Sequence, residues 1–375
     1  MHGNRMAELL DAKRLAGIEL LDLTESNPTR AAIQYPPRFL SSLADDRAAL
    51  YEPEPFGLSS AREAIAQKDG VSPERVFLSS STSEAYSWIF KLLCDPGDNV
   101  LIPRPSYPLF EYLARLESVE ARHYSLFYDH GWFIDFHTIE RAADERTRAL
   151  VLVNPNNPTG HFLKRHELEQ LLGFGLPVIS DEVFRDYILD PAEGSVFSLS
   201  GRDEQLIFTL NGLSKAAGLP QLKLAWTIVN GPQDVVQHAM ERLEIIADTY
   251  LSVGTPVQTA ARDLLLICDN VQDQILARLR RNLASLAATG LRVLPVEAGW
   301  YAVVQVRDEE ELAETLLDKH NVLVQPGYFY DFNRPGYIVL SLLTPADVFQ
   351  RGLELITLTL SNPSSSDGGT SRAAI

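Results

Sequence analysis

The residue with the most chemistry open to it is a lysine, Lys215, in the stretch Leu206-Ile-Phe-Thr-Leu-Asn-Gly-Leu-Ser-Lys-Ala-Ala-Gly-Leu-Pro-Gln-Leu-Lys223. The apolar run Leu206 to Leu210 reads as a buried strand that runs into a turn and delivers Lys215 among Leu213, Ala216, Ala217, Gly218 and Leu219. A lysine so placed loses hydration, which disfavours its ammonium form and moves the amine toward nucleophilicity near neutral pH. Such an amine condenses with an aldehyde to give a Schiff base. Alone, a Ser-Lys pair in a loop is more often a lysine whose ammonium reaches back to solvent. Its company decides between the two.

Four other segments read as strand ends. Ser79-Ser-Ser-Thr-Ser-Glu84 follows a strand at Val76 and opens a helix. Backbone N–H groups and hydroxyls there form an anion site, with phosphate the expected anion. Plain N-capping accounts for the same residues equally well. Pro105-Ser-Tyr-Pro108 is a rigid turn presenting the aromatic face of Tyr107. Asn154-Pro-Asn-Asn-Pro-Thr-Gly160 follows a very apolar strand; it is unremarkable as a turn but rare as a string. Ser180-Asp-Glu-Val-Phe184 closes another apolar strand with two carboxylates. Of these, Asp181 is expected to be largely buried and to need a cationic partner; the alternative is a surface loop acid.

The elements that must hold these segments alternate. Val76–Leu78, Val100–Ile102, Ala149–Val153, Pro177–Ser180 and Leu206–Leu210 read as strands, with helical patterns between them, among them Phe110–Leu116 and His166–Leu172. Short apolar runs separated by helices predict an α/β fold, a mainly parallel sheet covered on both faces with ligand-binding loops along one edge. After about residue 232 the pattern changes. Asp234–Tyr250 and Arg262–Ala288 read as long helices, followed by strands at Trp300–Val306, Val322–Val324 and Tyr337–Leu343, a smaller α+β unit with its own sheet. At the front, Met6–Ala16 reads as an amphipathic helix and Leu20–Arg30 as an extended segment ending in a turn.

The 375 residues carry a net charge of −17, which argues against nonspecific nucleic-acid binding. The two cysteines, Cys94 and Cys268, sit in apolar helical patterns, so neither a disulfide framework nor a metal cluster is expected, and the eight histidines do not cluster as ligands. The start lacks the apolar core of a signal peptide, and no apolar run reaches the ~18 residues of a membrane span. A cytoplasmic location is the expectation.

Together, Asn-Asn-Pro-Thr-Gly, Ser-Asp-Glu-Val and Ser-Lys, in this order and spacing, resemble the class I/II aminotransferases, fold-type I pyridoxal-phosphate enzymes. The resemblance runs from Ser26-Asn-Pro-Thr29 to about Leu360. It implies a large cofactor-binding domain at 46–250 with a seven-stranded-type sheet. A smaller α+β domain would combine an N-terminal arm, 1–45, with 251–360, leaving a polar, disordered tail at 361–375. It implies that Lys215 forms the Schiff base with pyridoxal 5'-phosphate and carries the proton in catalysis. Asp181 would pair with the ring nitrogen, Asn157 bond the phenolic oxygen, and Tyr107 stack on the ring. Ser81, Thr82, Ser83 and Ser214 would hold the phosphate, and Tyr51 would reach the phosphate of a neighbouring subunit in a homodimer. Asn27 and Asn157 would touch substrate.

Four positions depart from the family's pattern. Lys223 stands for an arginine at the phosphate, Gly212 for a serine and Phe184 for a tyrosine. Val339, or in another register Tyr337, stands where an arginine would grip the substrate α-carboxylate. Arg334 and Arg30, on flanking loops, are the candidates to replace it. The expected activity is ping-pong transfer of an amino group between an amino acid or amine and a keto acid. A lyase or decarboxylase on the same fold is the alternative, and a non-catalytic ligand sensor a third reading.

Overall fold

In the computed structural model, which describes residues 5–361, the apolar runs become strands wherever both of their faces can be covered. After β1 (Leu21–Asp22), eight strands form one sheet: β2 (Val76–Ser79), β3 (Asn99–Arg104), β4 (Glu120–Tyr128), β5 (Trp132–Asp135), β6 (Thr147–Val153), β7 (Val178–Asp181), β8 (Ile207–Gly212) and β9 (Ala225–Asn230). Their order is β2-β9-β8-β7-β6-β3-β4-β5. Along β6 the alternation is visible: Ala149, Val151 and Val153 pack with Trp88, Ile89 and Leu243 on one face, Leu150 and Leu152 with Leu168 and Leu171 on the other. Neighbours from β8 to β4 run parallel, whereas β9 is antiparallel to both β2 and β8, and β5 returns antiparallel on β4. The sheet is thus mainly parallel but has eight strands rather than the expected seven, because the hairpin strand β5 extends its edge.

Register aligns the functional loops. Ser79 and Gly212 both lie opposite Ala225, so the loops after β2 and β8 leave the sheet at one level. Asp181 lies opposite both Val153 and Leu210, which puts the ends of β6 and β7 at nearly the same height.

The remaining strands are β10 (Arg292–Val293), β11 (Tyr301–Gln305), β12 (Val322–Leu323), β13 (Gln325–Pro326) and β14 (Tyr337–Ser341). Four of them form an antiparallel sheet, β10-β11-β14-β13, and β1 pairs with β12. Leu23 is fully buried and bridges the two: its N–H donates to Leu323 O, and its carbonyl accepts from Ser341 N. Gly352 leaves the space that the Leu23 side chain fills.

The single helix expected over Arg262–Ala288 is two, Ala261–Leu266 and Cys268–Ala287, meeting at Ile267 (φ −87°, ψ −7°). Apart from Ser361, which ends the helix Ala346–Ser361, the tail expected to be disordered lies outside the described residues.

Candidate active site

Lys215 sits in a single helical turn, Leu213–Ala216, directly after β8. Three side chains from other elements fix the backbone around it. The Tyr187 hydroxyl donates to Lys215 O, Gln272 Nε2 to Ala216 O (2.7 Å) and the Tyr35 hydroxyl to Gly218 O (2.6 Å). The amine lies 4.8 Å from the Trp300 ring centroid and 5.6 Å from that of Phe184. Burial lowers its pKa to about 8, against which the charge of Asp181 acts weakly.

Asp181 ends β7, only 8% exposed. It accepts from the Tyr86 hydroxyl and from Val183 N, both at 3.3 Å. Burial nonetheless pushes it up to about 6. The expected cationic partner is not in contact. Among the described residues no lysine or arginine is within ion-pair distance of Asp181, and Lys215 acts on it from further away. The cleft therefore holds a buried acid that no cation among the described residues contacts.

The Asn157 loop is tied to the Tyr107 turn through Asn156, whose Nδ2 donates to Pro105 O (3.3 Å) while its Oδ1 accepts from Thr159. Asn157 is buried and its Oδ1 has no donor among the described residues. Gly160, at φ +72°, closes the loop where a Cβ would strike the Ala298 carbonyl, so only glycine fits. Tyr107 is 43% exposed, and its phenol is raised by burial and by the charge of Asp181, so ring and acid share one cleft.

At the β2 end, Ser81 caps the helix Thr82–Leu93 by accepting from Glu84 N at 3.2 Å. Glu84 Oε2 accepts from Ser80 N, Ser80 Oγ and Ser252 Oγ, which fixes the loop. Thr82 and Ser83 occupy the first turn, partly exposed, as is Ser214. Lys223, at φ +52°, and Tyr51 are exposed.

The expected substrate residues are scattered. Asn27 Oδ1 is taken by Thr29 N and Oγ1. Arg30 and Arg334 are exposed, and Arg334 is felt by the phenol of Tyr337, at the end of β14 away from Trp300. Val339 is fully buried between Val303 and Gln325. Sequence reasoning missed Tyr86, Trp300, Tyr187 and Tyr301, the last beside Ser26. For Tyr86 there was a signal: it lies one turn beyond Thr82 on the helix opened by the serine loop.

This lysine, acid and asparagine, at the ends of neighbouring parallel strands beside a hydroxyl-rich helix start, define a pyridoxal-phosphate enzyme of the aminotransferase kind. Residues 18–351 match the family model "Aminotransferase class I and II", and the chain belongs to that family. It is a pyridoxal-phosphate-dependent aminotransferase. One relative, the glutamate-pyruvate aminotransferase AlaA of Haemophilus influenzae, is 26% identical over 371 residues, 92% of either chain. A crystal structure of an Escherichia coli aminotransferase matches with TM-score 0.83 at 25% identity, over 95% of this chain and 94% of that one. The alanine aminotransferase of Pyrococcus furiosus matches in fold, with TM-score 0.85 at 22% identity over 96% of each chain. The lyase alternative finds no support among them.

The site fits the cofactor. A protonated ring nitrogen would supply the contacting cation that Asp181 lacks, and Asn157 would have bonding capacity to spare. The amine of Lys215, lowered by burial to about 8, gives up its proton far more readily than an ordinary lysine.

Proposed function

We propose that Lys215 is the residue that holds the cofactor and moves the proton, with Asp181 facing the ring nitrogen. The observation that carries this is a desolvated amine and an uncompensated buried acid facing one cleft. When bound, pyridoxal phosphate supplies an electron-poor ring that takes up the electron pair left as the substrate Cα–H bond breaks. Asp181, anionic in contact with a cation, keeps that ring nitrogen protonated. Lys215 Nζ receives the proton from Cα and gives it up again. Asn157 bonds the phenolic oxygen and Tyr107 covers one face of the ring. Ser81, Thr82, Ser83, Ser214 and Lys223 hold the phosphate, the first three through a helix N-terminus that favours an anion.

The functional unit in this reading is a homodimer in which Tyr51 of each subunit reaches the neighbouring site, consistent with its 71% exposure in the single chain. In the same reading 46–250 is the cofactor domain, and 251–360 with the N-terminal arm the smaller one. The donor is an amino acid and the acceptor a keto acid, with alanine, glutamate and pyruvate the first to test, since the relative above is a glutamate-pyruvate aminotransferase.

The test begins with borohydride reduction of the holoenzyme followed by peptide mapping. The cofactor should be fixed on Lys215; label on another lysine ends the assignment. Lys215→Ala should abolish turnover and leave the cofactor dialysable. Mixing holoenzyme with single amino acids should convert the cofactor to its amine form without release of ammonia.

A further inference from the structure

The amine of Lys215 has an unusual set of neighbours. Among the described residues Nζ has no hydrogen-bond acceptor, and its close contacts are the faces of two aromatic rings. Phe184 comes from the segment after β7, whereas Trp300 immediately precedes β11 of the smaller sheet. The two rings meet edge to face, 5.3 Å between centroids at 68°. Tyr187 packs against Trp300 in the same manner, at 5.1 Å and 69°, while its hydroxyl holds the Lys215 carbonyl. Trp300 is fully buried and among the described residues its indole N–H finds no acceptor, so a hydrogen bond does not account for a tryptophan there. What it contributes is a ring face.

We propose that Trp300 is a positioning residue for proton transfer: with Phe184 it forms an aromatic cradle that holds the ammonium of Lys215 whenever Nζ is not bonded to the cofactor. The proposal rests on Lys215 being the proton-carrying amine. During that interval Nζ is the end of a flexible four-carbon chain that must wait within reach of the substrate Cα. A cation held over a ring face is stabilised by the ring's quadrupole, by a few-fold to about thirtyfold in equilibrium terms once desolvated. The neutral amine gains nothing comparable, so the cradle favours the state in which Nζ has just accepted the proton. The other groups around the amine leave this role to the rings. Asp181 is the acid whose charge reaches it, and the phenols of Tyr86 and Tyr107 face that acid. Glu182 is turned away, bonded to Ser180, Ser198 and Leu199 N with Arg185 nearby. Burial lowers the amine to about 8 despite the charge of Asp181, and the cradle opposes that fall.

The experiment compares the parent chain with Trp300→Leu and Trp300→Phe by two readouts. The first uses full-length protein stripped of cofactor, acylated with trace amine-selective reagent from pH 6 to 10 and quantified on the Lys215 peptide. Trp300→Leu should weaken proton affinity at least threefold, moving the midpoint down by about half a pH unit or more. Trp300→Phe should keep most of it. The second is the half-reaction of holoenzyme with an amino donor carrying hydrogen or deuterium at Cα. Trp300→Leu should slow it tenfold or more with a larger isotope effect, while half-saturation by donor moves less than threefold. If the labelling midpoint stays put in folded Trp300→Leu, or if the loss falls on half-saturation, Trp300 is a packing or substrate-contact residue and the proposal is overturned. Should Trp300→Leu not fold, Phe184→Leu removes the other ring and must shift the midpoint in the same direction. Borohydride label on another lysine would end the Lys215 assignment itself, whereas an unmoved midpoint ends only the cradle.

Discussion

Asp181 and Lys215 are held where their charges cost stability. The carboxyl of Asp181 is shifted from 3.8 to about 6, so its neutral form is favoured in the folded protein. Stability is therefore lost as pH rises from about 4 to 6 and stays lost above, on the order of 3 kcal/mol. For Lys215, shifted from 10.5 to about 8, the loss sets in as pH falls from above 10 to 8 and persists below. Near pH 7 both penalties operate, trimmed by mutual attraction, and a bound cofactor relieves them. Asp181→Asn should accordingly stabilise the cofactor-free protein at pH 7 by about 1–3 kcal/mol, and the gain should vanish by pH 4. The same change should cost the amino-acid half-reaction several orders of magnitude, because Asn cannot keep a ring nitrogen protonated. Urea midpoints of parent and variant across pH 4–8 check the first part. A gain that persists unchanged to pH 4 would contradict the desolvation account.

The strand β14 offers no cation to a substrate carboxylate. Val339 is enclosed by Val303 and Gln325, and Arg334 precedes Tyr337, four residues or about 13 Å from the Ser341 end that faces Trp300 and Tyr301. The fold thus lends Arg334 no support as a replacement, and Arg30, although its segment reaches Ser341 through the Glu25 carbonyl, is itself exposed. Replacing either by Ala should change kcat/KM for amino acids by less than tenfold, about 1.4 kcal/mol. A larger loss in one variant, with no loss for the decarboxylated amine, would restore that arginine to the site. Elements also differed in how far they could be read from sequence. Strands β2, β3, β6, β7 and β8 have both faces covered and stand out as apolar runs. Strand β9 was not anticipated: it returns antiparallel on β8 after the Lys215 turn, without the helical crossover that marks the parallel strands. Strand β4 begins Glu-Ala-Arg-His near the edge of the sheet, where alternation is diluted. The lysine, acid and asparagine were legible because each sits in a local string. Tyr86, Trp300 and the Ser26–Tyr301 pair meet the cleft only through packing of distant segments, which no spacing encodes.

Across the whole molecule, the two sheets are joined beside the cleft by a buried ionic cluster. His161 follows the Asn157 loop and places Nε2 3.1 Å from Glu167 and Nδ1 3.8 Å from Glu297, while Lys164 Nζ bonds Glu297 at 2.5 Å. Glu167 also accepts from the backbone N–H groups of Ile134 and Lys164. Glu297 belongs to the segment that runs on through Ala298, whose N–H donates to Gly160 O, and into Trp300. One cluster therefore fixes the asparagine loop against the residue that faces Lys215. Burial would raise Glu297, but the hydrogen bond from Lys164 and the imidazole of His161 beside it hold it down to about 2. Since its ordinary value is 4.5, the stability it contributes is present above that pH and is lost as pH falls toward 2. Glu297→Ala leaves the partly buried Lys164 ammonium without its acid, and breaking such a pair costs up to about 3–5 kcal/mol. The expected result is destabilisation of that order at pH 7 that shrinks at pH 3, measured by urea unfolding. The half-reaction should slow as well, although Glu297 touches neither Lys215 nor Asp181. Full activity in a variant that has lost the stability would separate the cluster from the chemistry and leave it a purely structural joint.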